Sequence, residues 1–473
     1  MKRLIIQTGT LMLFLIAFTL SLSAEIKLPS IFGDNMVLQQ QTNAAIWGKA
    51  TPNSTISVRA SWNNRSVTTR ADSEGRWKLK VPTPAAGGPY TVIISDGKPV
   101  TLRNVMIGEV WVCSGQSNME MPMKGYRNQP ITGSNEFIAT SANNSIRLIT
   151  VPRVTSLTPL DDFNGSWKTC EPGNVAEFSA TAYFFGLMLN NALNVPVGLI
   201  CTSWGGTRIE PWISEDGHKN FDWVKLPDKT QKPDNLSAQT PTVLFNAMIN
   251  PLVGYGIRGA IWYQGESNRN EPVQYQKLMP GLADNWRSVW DIGVFPLYYV
   301  QIAPFDYGPT GLNSAFLREA QLKAVKDGTN MGMACIMDTG EKDNIHPADK
   351  KAAGDRLAYL ALAKTYGMQG FACEGPLLKE MAVEGPLVKL TFDNAPNGLT
   401  SFGKELSNFE VAGANKRFYP ATAFITNSGV TLFSPVVNEP AAVRYAFKDF
   451  VIGDLFNIEG LPASSFRTDD WEP

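Results

Sequence analysis

Histidine is scarce in this chain of 473 residues: only His218 and His346 occur. A reaction that needs an imidazole base has two candidates, and a histidine-rich metal centre is excluded. Cysteine is nearly as sparse. Cys113, Cys170, Cys201, Cys335 and Cys373 are scattered, odd in number and without ligand spacing, so neither a disulfide framework nor a zinc site is expected. A single disulfide stays open, and the thiols within the apolar runs around Cys113, Cys201 and Cys335 should pack as small hydrophobes. A charge excess is missing too. Lys+Arg 42 against Asp+Glu 43 leaves a formal net charge of -1, so no global field draws the chain to nucleic acid or an anionic membrane. A compact neutral partner fits better.

Long apolar runs are absent beyond the first residues. Lys2 and Arg3 precede an apolar stretch from Leu11 to Leu22 that ends in small residues, the layout of a secretory signal peptide over residues 1–24. That stretch is well short of the ~20 residues a membrane span needs, so no stable span is expected. Cleavage after Ser23 or Ala24 would export the protein to the periplasm or the exterior. Glu25 follows the cleavage point, leaving no cysteine there for lipid attachment.

What is present is apolar substance, 44% of residues, enough for several packed cores. From 25 to 104, short alternating segments such as "TISVRASW", "RWKLKV" and "YTVIIS" are separated by turn chemistry, which predicts a small β-sandwich. From 105 to 372 the pattern changes. Near-continuous apolar runs, among them "VMIGEVWVC", "VPVGLICTSW", "IRGAIWYQG" and "MGMACIMD", alternate with helical segments. That is an α/β domain with a parallel sheet covered on both faces. Alternation returns from 373 to 473, predicting a second β domain and a tail.

In an open parallel sheet, the reactive crevice lies beyond the carboxyl ends of the strands, and four such ends carry chemistry here. Ser117 follows the first run. A serine hydroxyl needs a positioned base, which must be His218 or His346. His218 sits in the polar connection "SEDGHKN"; His346 sits in "DTGEKDNIHPADKK", between the last run and a strong helix that Pro347 would open. His346 is the better placed, with Asp343 three residues earlier as the partner that would fix its tautomer. Taken alone, Ser117 and Asp343 each also suit a helix cap. The second run ends in "SWGGTRIEPW", where Gly206 can offer an N–H, and the third in "WYQGESN", where Gln264 can offer an amide. With the N–H of Ser117 these make a candidate oxyanion hole. Trp204, Arg208, Glu266 and Asn118 are candidate sugar-binding residues; the Arg208 fork suits a carboxylate, and an ion pair with Glu210 is its alternative.

The blocks "GQSNM", "WGGT", "WYQGES" and "DNIH" together resemble the sialate O-acetylesterase type of carbohydrate esterase, in the SGNH-hydrolase superfamily. The resemblance runs from "LPSIFGDNMVLQQ" to "NIEGLPASSFRTD". It implies a flavodoxin-like three-layer α/β/α domain, with Ser117 as nucleophile, His346 as base and Asp343 as its partner. It also implies hydrolysis of O-acetyl esters of sialic acid or another O-acetylated sugar, without metal or organic cofactor. Two features depart from the pattern: "QGESN" stands where the superfamily has Gly-x-Asn-Asp, and only residues 215–240 occupy the place where longer relatives insert a β domain. The alternatives are an acetylesterase for xylan or another polysaccharide and, in a different class, a carbohydrate-binding β protein without activity. Nothing in the sequence gives the oligomeric state.

Overall fold

A computed structural model describes residues 25–230, 236–308 and 311–471. The expected signal peptide, residues 1–24, lies outside the described residues, as does 231–235 of the stretch 215–240.

The early alternating segments form strands β1 Val37–Gln39, β2 Asn43–Lys49, β3 Thr55–Ala60, β4 Ser66–Arg70, β5 Arg76–Pro82 and β6 Gly87–Ser95. In β5 every second side chain is buried, the period-two signature of a sheet with one wet face. The β2–β5 pair packs against the sheet of β4, β3 and β6, with Ile46, Trp77, Leu79 and Val81 meeting Ile56, Val58, Val92 and Ile94 in one core.

Strand β7, Pro99–Gly115, runs through the expected boundary at 104/105. Its first part pairs antiparallel with β6 and parallel with β1; from Glu109 onward it pairs parallel with two strands of the next layer. There the burial pattern loses its alternation and every residue is buried, as a strand covered on both faces requires. One continuous ladder thus joins the amino-terminal strands to the α/β layers.

Beyond β7 come helix α1 Ser117–Glu120, helix α2 Ser134–Ala139, strand β8 Asn143–Thr150, strand β9 Lys168–Cys170, helix α3 Pro172–Glu177, helix α4 Ala180–Leu193 and strand β10 Val197–Ser203. Then follow β11 Gly259–Tyr263, α5 Pro272–Trp290, β12 Leu297–Val300, α6 Asn313–Asp327, β13 Met331–Ala334 and α7 Lys350–Leu360. The sheet order is β13-β12-β11-β7-β10-β8-β9. All of these are parallel except the edge strand β9.

Successive residues on one strand point to opposite layers. Val110, Val112, Ala260 and Trp262 meet Leu278, Leu282 and Trp286 of α5. Trp111, Cys113, Ile261 and Tyr263 face Phe184 and Phe185 of α4 and Leu357 of α7. The result is a three-layer α/β/α domain. Sequence order reverses at β7, with β10 and β8 on one side and β11 to β13 on the other, so the crevice forms at its carboxyl end.

The remaining chain forms small antiparallel sheets, the larger ones being Leu377–Glu384, Leu387–Asp393, Gly429–Phe433 and Thr422–Thr426, and Phe418–Pro420, Phe409–Ala412, Ala442–Tyr445 and Phe466–Arg467. They are tied to α6 by Arg318, fully buried, which donates to Ser465 Oγ and to the carbonyls of Lys448 and Asp449. Among the described residues no helix is long and apolar enough to cross a membrane.

Candidate functional site

Gly115 ends β7 with φ +142, and a Cβ there would run into the Tyr263 carbonyl of β11. Only glycine lets the chain turn this sharply against its neighbour strand. The turn makes Gln116 the N-cap residue of α1 and Ser117 its first helical residue, with no side-chain cap. Ser117 therefore does not cap the helix. Its Oγ lies 2.8 Å from His346 Nε2.

His346 Nδ1 lies 2.8 Å from Gln129 Oε1. That oxygen can only accept, so the geometry assigns the proton to Nδ1 and leaves the Nε2 lone pair facing Ser117. The tautomer is the one a base needs. Its partner is not the expected one. Asp343 is exposed in the turn bridged by Glu341 and Asn344, and Asn344, not Asp343, bonds back to His346, through Oδ1 to the backbone N–H and Nδ2 to the carbonyl. The expectation that Pro347 opens the helix is corrected too. Asp349 caps α7 by accepting from Ala352 N, and the helix begins at Lys350.

Burial, with the Lys350 cation as a second cause, holds the His346 imidazolium pKa down at about 4. The other histidine is remote from this chemistry. His218 is 3% exposed, bonds Nε2 to the Glu210 carbonyl at 2.8 Å, and is shifted downward by burial.

The loop after β10 reaches the same place. Gly205 N donates to Glu120 Oε2 at 2.6 Å, and a Cβ at Gly205 would sit 3.2 Å from Ser117 Cβ. Gly206, at φ +74, has open space where a side chain would stand. Among the described residues neither the Gly206 N–H nor the Ser117 N–H has a hydrogen-bond partner. Two orphan donors beside a nucleophile suit a developing oxyanion.

Gln264 does not join them. It is fully buried, and its amide nitrogen donates to Thr207 O at 3.1 Å and Asn268 Oδ1 at 2.8 Å. It braces the loop after β10 instead.

Of the candidate sugar-binding residues, Trp204 is half-buried beside Gly205, with the Arg153 guanidinium 5.9 Å from its ring centroid and Arg153 paired to Glu120 at 3.1 Å. Arg208 takes its alternative role. It pairs with Glu210 at 2.6 Å and with Glu271, so both edges of its fork are occupied. Asn118 and Glu266 are buried and bonded to each other at 2.6 Å, so neither presents a free polar edge at the surface beside Ser117. Sequence reasoning missed Gln129, Tyr126, whose ring meets the imidazole edge-on at 5.5 Å, and the buried Lys350. Gln129 and Tyr126 lie on a loop without periodicity, and only Lys350 carried a local signal.

A model of the carbohydrate esterase, sialic acid-specific acetylesterase family matches residues 107–363. The fold superimposes on a crystal structure of a novel carbohydrate acetylesterase from Xanthomonas citri with TM-score 0.86 and 34% identity, covering 94% of this chain and 100% of that chain. The sialate O-acetylesterase of Mus musculus is 29% identical over 509 residues, 93% of this chain and 92% of the mouse protein. That of Homo sapiens is 30% identical over 404 residues, 77% of this chain and 76% of the human protein.

Proposed function

Because this chain belongs to the carbohydrate esterase family of sialic acid-specific acetylesterases, we propose that Ser117 and His346 hydrolyse O-acetyl esters of sialic acid through an acetyl-enzyme. The observation that carries the assignment of residues is the 2.8 Å contact between Ser117 Oγ and His346 Nε2. His346 takes the hydroxyl proton as Oγ attacks the acetyl carbon, and the carbonyl oxygen becomes an oxyanion held by the N–H groups of Ser117 and Gly206. The bond to the sugar oxygen then breaks, and the imidazolium returns its proton to that oxygen. Water repeats the sequence on the acetyl-enzyme and releases acetate.

No step calls on a metal or organic cofactor. Trp204 offers a flat apolar face with a polar edge beside the nucleophile, which suits a sugar ring. The layout of residues 1–24 supports export to the periplasm or exterior.

The test is acetate release from O-acetylated sialic acids, acetylated xylan and an aryl acetate, by the wild type and by Ser117→Ala. Preference for the sialates with loss of turnover in Ser117→Ala supports the proposal. Preference for xylan moves the substrate to a plant polysaccharide, and retained turnover in Ser117→Ala removes the serine mechanism.

A further inference from the structure

Behind the half-buried Ser117–His346 pair lies a chain of buried polar groups that the reaction steps do not use. Lys350 is 1% exposed, Asn118 0% and Glu266 4%. Lys350 Nζ donates to Asn118 Oδ1 at 2.6 Å and to the Pro347 carbonyl at 2.7 Å. Asn118 Nδ2 donates to Glu266 Oε1 at 2.6 Å and to the Ile345 carbonyl at 3.1 Å.

The two carbonyls gripped here belong to the residues on either side of His346. The amide that joins them belongs to the residue after Ser117, whose own carbonyl accepts from Thr181 Oγ1 of α4 at 3.0 Å. One buried network therefore fixes the backbone of base and nucleophile relative to each other. The cost of burying an ammonium and a carboxylate is several kcal/mol per ion unless they are paired and hydrogen-bonded, so a merely structural anchor at this place would be better made of apolar side chains.

Resting on the esterase assignment above, we propose that Lys350 is a positioning residue: through Asn118 and the Pro347 carbonyl it holds His346 against Ser117. The groups facing Lys350 are Glu266 after β11, Glu341 before the His346 turn, Asp349 at the cap of α7, and the Tyr263 ring at 6.0 Å. Those facing His346 are Ser117, Gln129, Tyr126 and Lys350. Of the groups just named among the described residues, Lys350 is the one that carries a positive charge in acid.

Burial lowers the Lys350 pKa to about 7, with Glu266, Glu341 and Asp349 opposing the shift, so the ammonium is intact where His346 titrates, at about 4. A cation beside a base disfavours its protonated form. Burial first and this cation second therefore keep His346 an unprotonated base in acid, and its imidazolium, once formed, is a readier donor to the departing sugar oxygen.

The chain has two histidines, so an NMR titration, with His218→Asn to identify the second signal, reads His346 directly and without substrate. In Lys350→Met the His346 pKa should rise by about one pH unit or more, and the acid limb of kcat/KM should rise with it. Lys350→Gln, which keeps a donor for Asn118 Oδ1, should show the same rise with less loss of plateau kcat. Folded variants that titrate His346 at the wild-type pH overturn the proposal. A wild type that titrates as described but releases no acetate leaves Lys350 where it is and overturns the esterase assignment instead.

Discussion

Ser117 and Asn118 are neighbours in one short helix, yet they open onto two different regions. On the outer side Ser117, His346, Gln129 and Tyr126 are half-buried and joined by contacts between neutral groups, and all but Ser117 come from loops. On the inner side Asn118, Glu266 and Lys350 are sealed, and two of the three partners of the amide are ionisable groups. The difference teaches where precision comes from. Groups that must meet a substrate cannot be packed on every side, so their placement is fixed by neighbours that can.

The comparison breaks most visibly at its outer end. Ser117→Ala or His346→Ala should lower kcat by ~10⁴-fold or more, since the pair acts as a unit, while circular dichroism and Tm stay near wild type. Steady-state acetate release checks the first and a melting curve the second. On the inner side the two readouts should fall together. Asn118→Ala leaves the Lys350 and Glu266 groups short of a partner, at a cost of ~1–3 kcal/mol each, and frees the carbonyl of Ile345. It should lower both Tm and kcat, with KM little changed. A variant that lost stability while keeping full kcat would show the network to be scaffolding alone.

Much of this division was legible in the sequence, and what was not has physical reasons. The two kinds of sheet followed from period-two alternation in β5 and continuous apolar runs in β10 and β11. The boundary placed at 104/105 ignores that β7 is one strand serving both sheets, since an apolar run carries no mark where its partners change. Ser117, His346 and Gly206 were found because strand ends converge.

Asp343 was expected at His346 from a spacing of three residues, but the Glu341–Asn344 turn directs it outward. Gln129 reaches the imidazole across space from a loop, which no local pattern announces. Gln264 and Glu266 were legible as polar residues at a strand end, yet only packing decides that they face inward. Lys350 did leave a trace: two lysines open α7 at the helix end that disfavours cations. A charge set against its helix dipole indicates a partner elsewhere, here Asn118 and the Pro347 carbonyl.

The outer side is sharpened by two substitutions of intermediate and small effect. Gln129→Leu removes the acceptor that fixes the His346 tautomer and should lower kcat ~10-fold, the order expected when a general base is misoriented without being lost. Asp343→Asn should stay within ~2-fold of wild type, as for an exposed residue without a structural role. Kinetics on both decide which residue orients the base; a large loss in Asp343→Asn with none in Gln129→Leu would return that role to the carboxylate.

The smallest expected change in rate, and the most telling in pH, comes from Gln129→Glu. It places a carboxylate at the 2.8 Å position on His346 Nδ1. An anion there favours the imidazolium, so the folded-state pKa should climb from about 4 toward the ordinary histidine value of ~6.5. The acid limb of kcat/KM should climb with it, because the base is lost at higher pH as acid is added. Stability should respond with a matching sign. His346 in the wild type is harder to protonate folded than unfolded, so stability falls as pH drops from ~6.5 toward about 4, and the variant should lose less over that window. Lys350→Met moves the same limb in the same direction from the inner side. If the two substitutions act on His346 from opposite faces and independently, their shifts add in the double variant; a smaller combined shift means that the outer and inner regions are coupled through the imidazole.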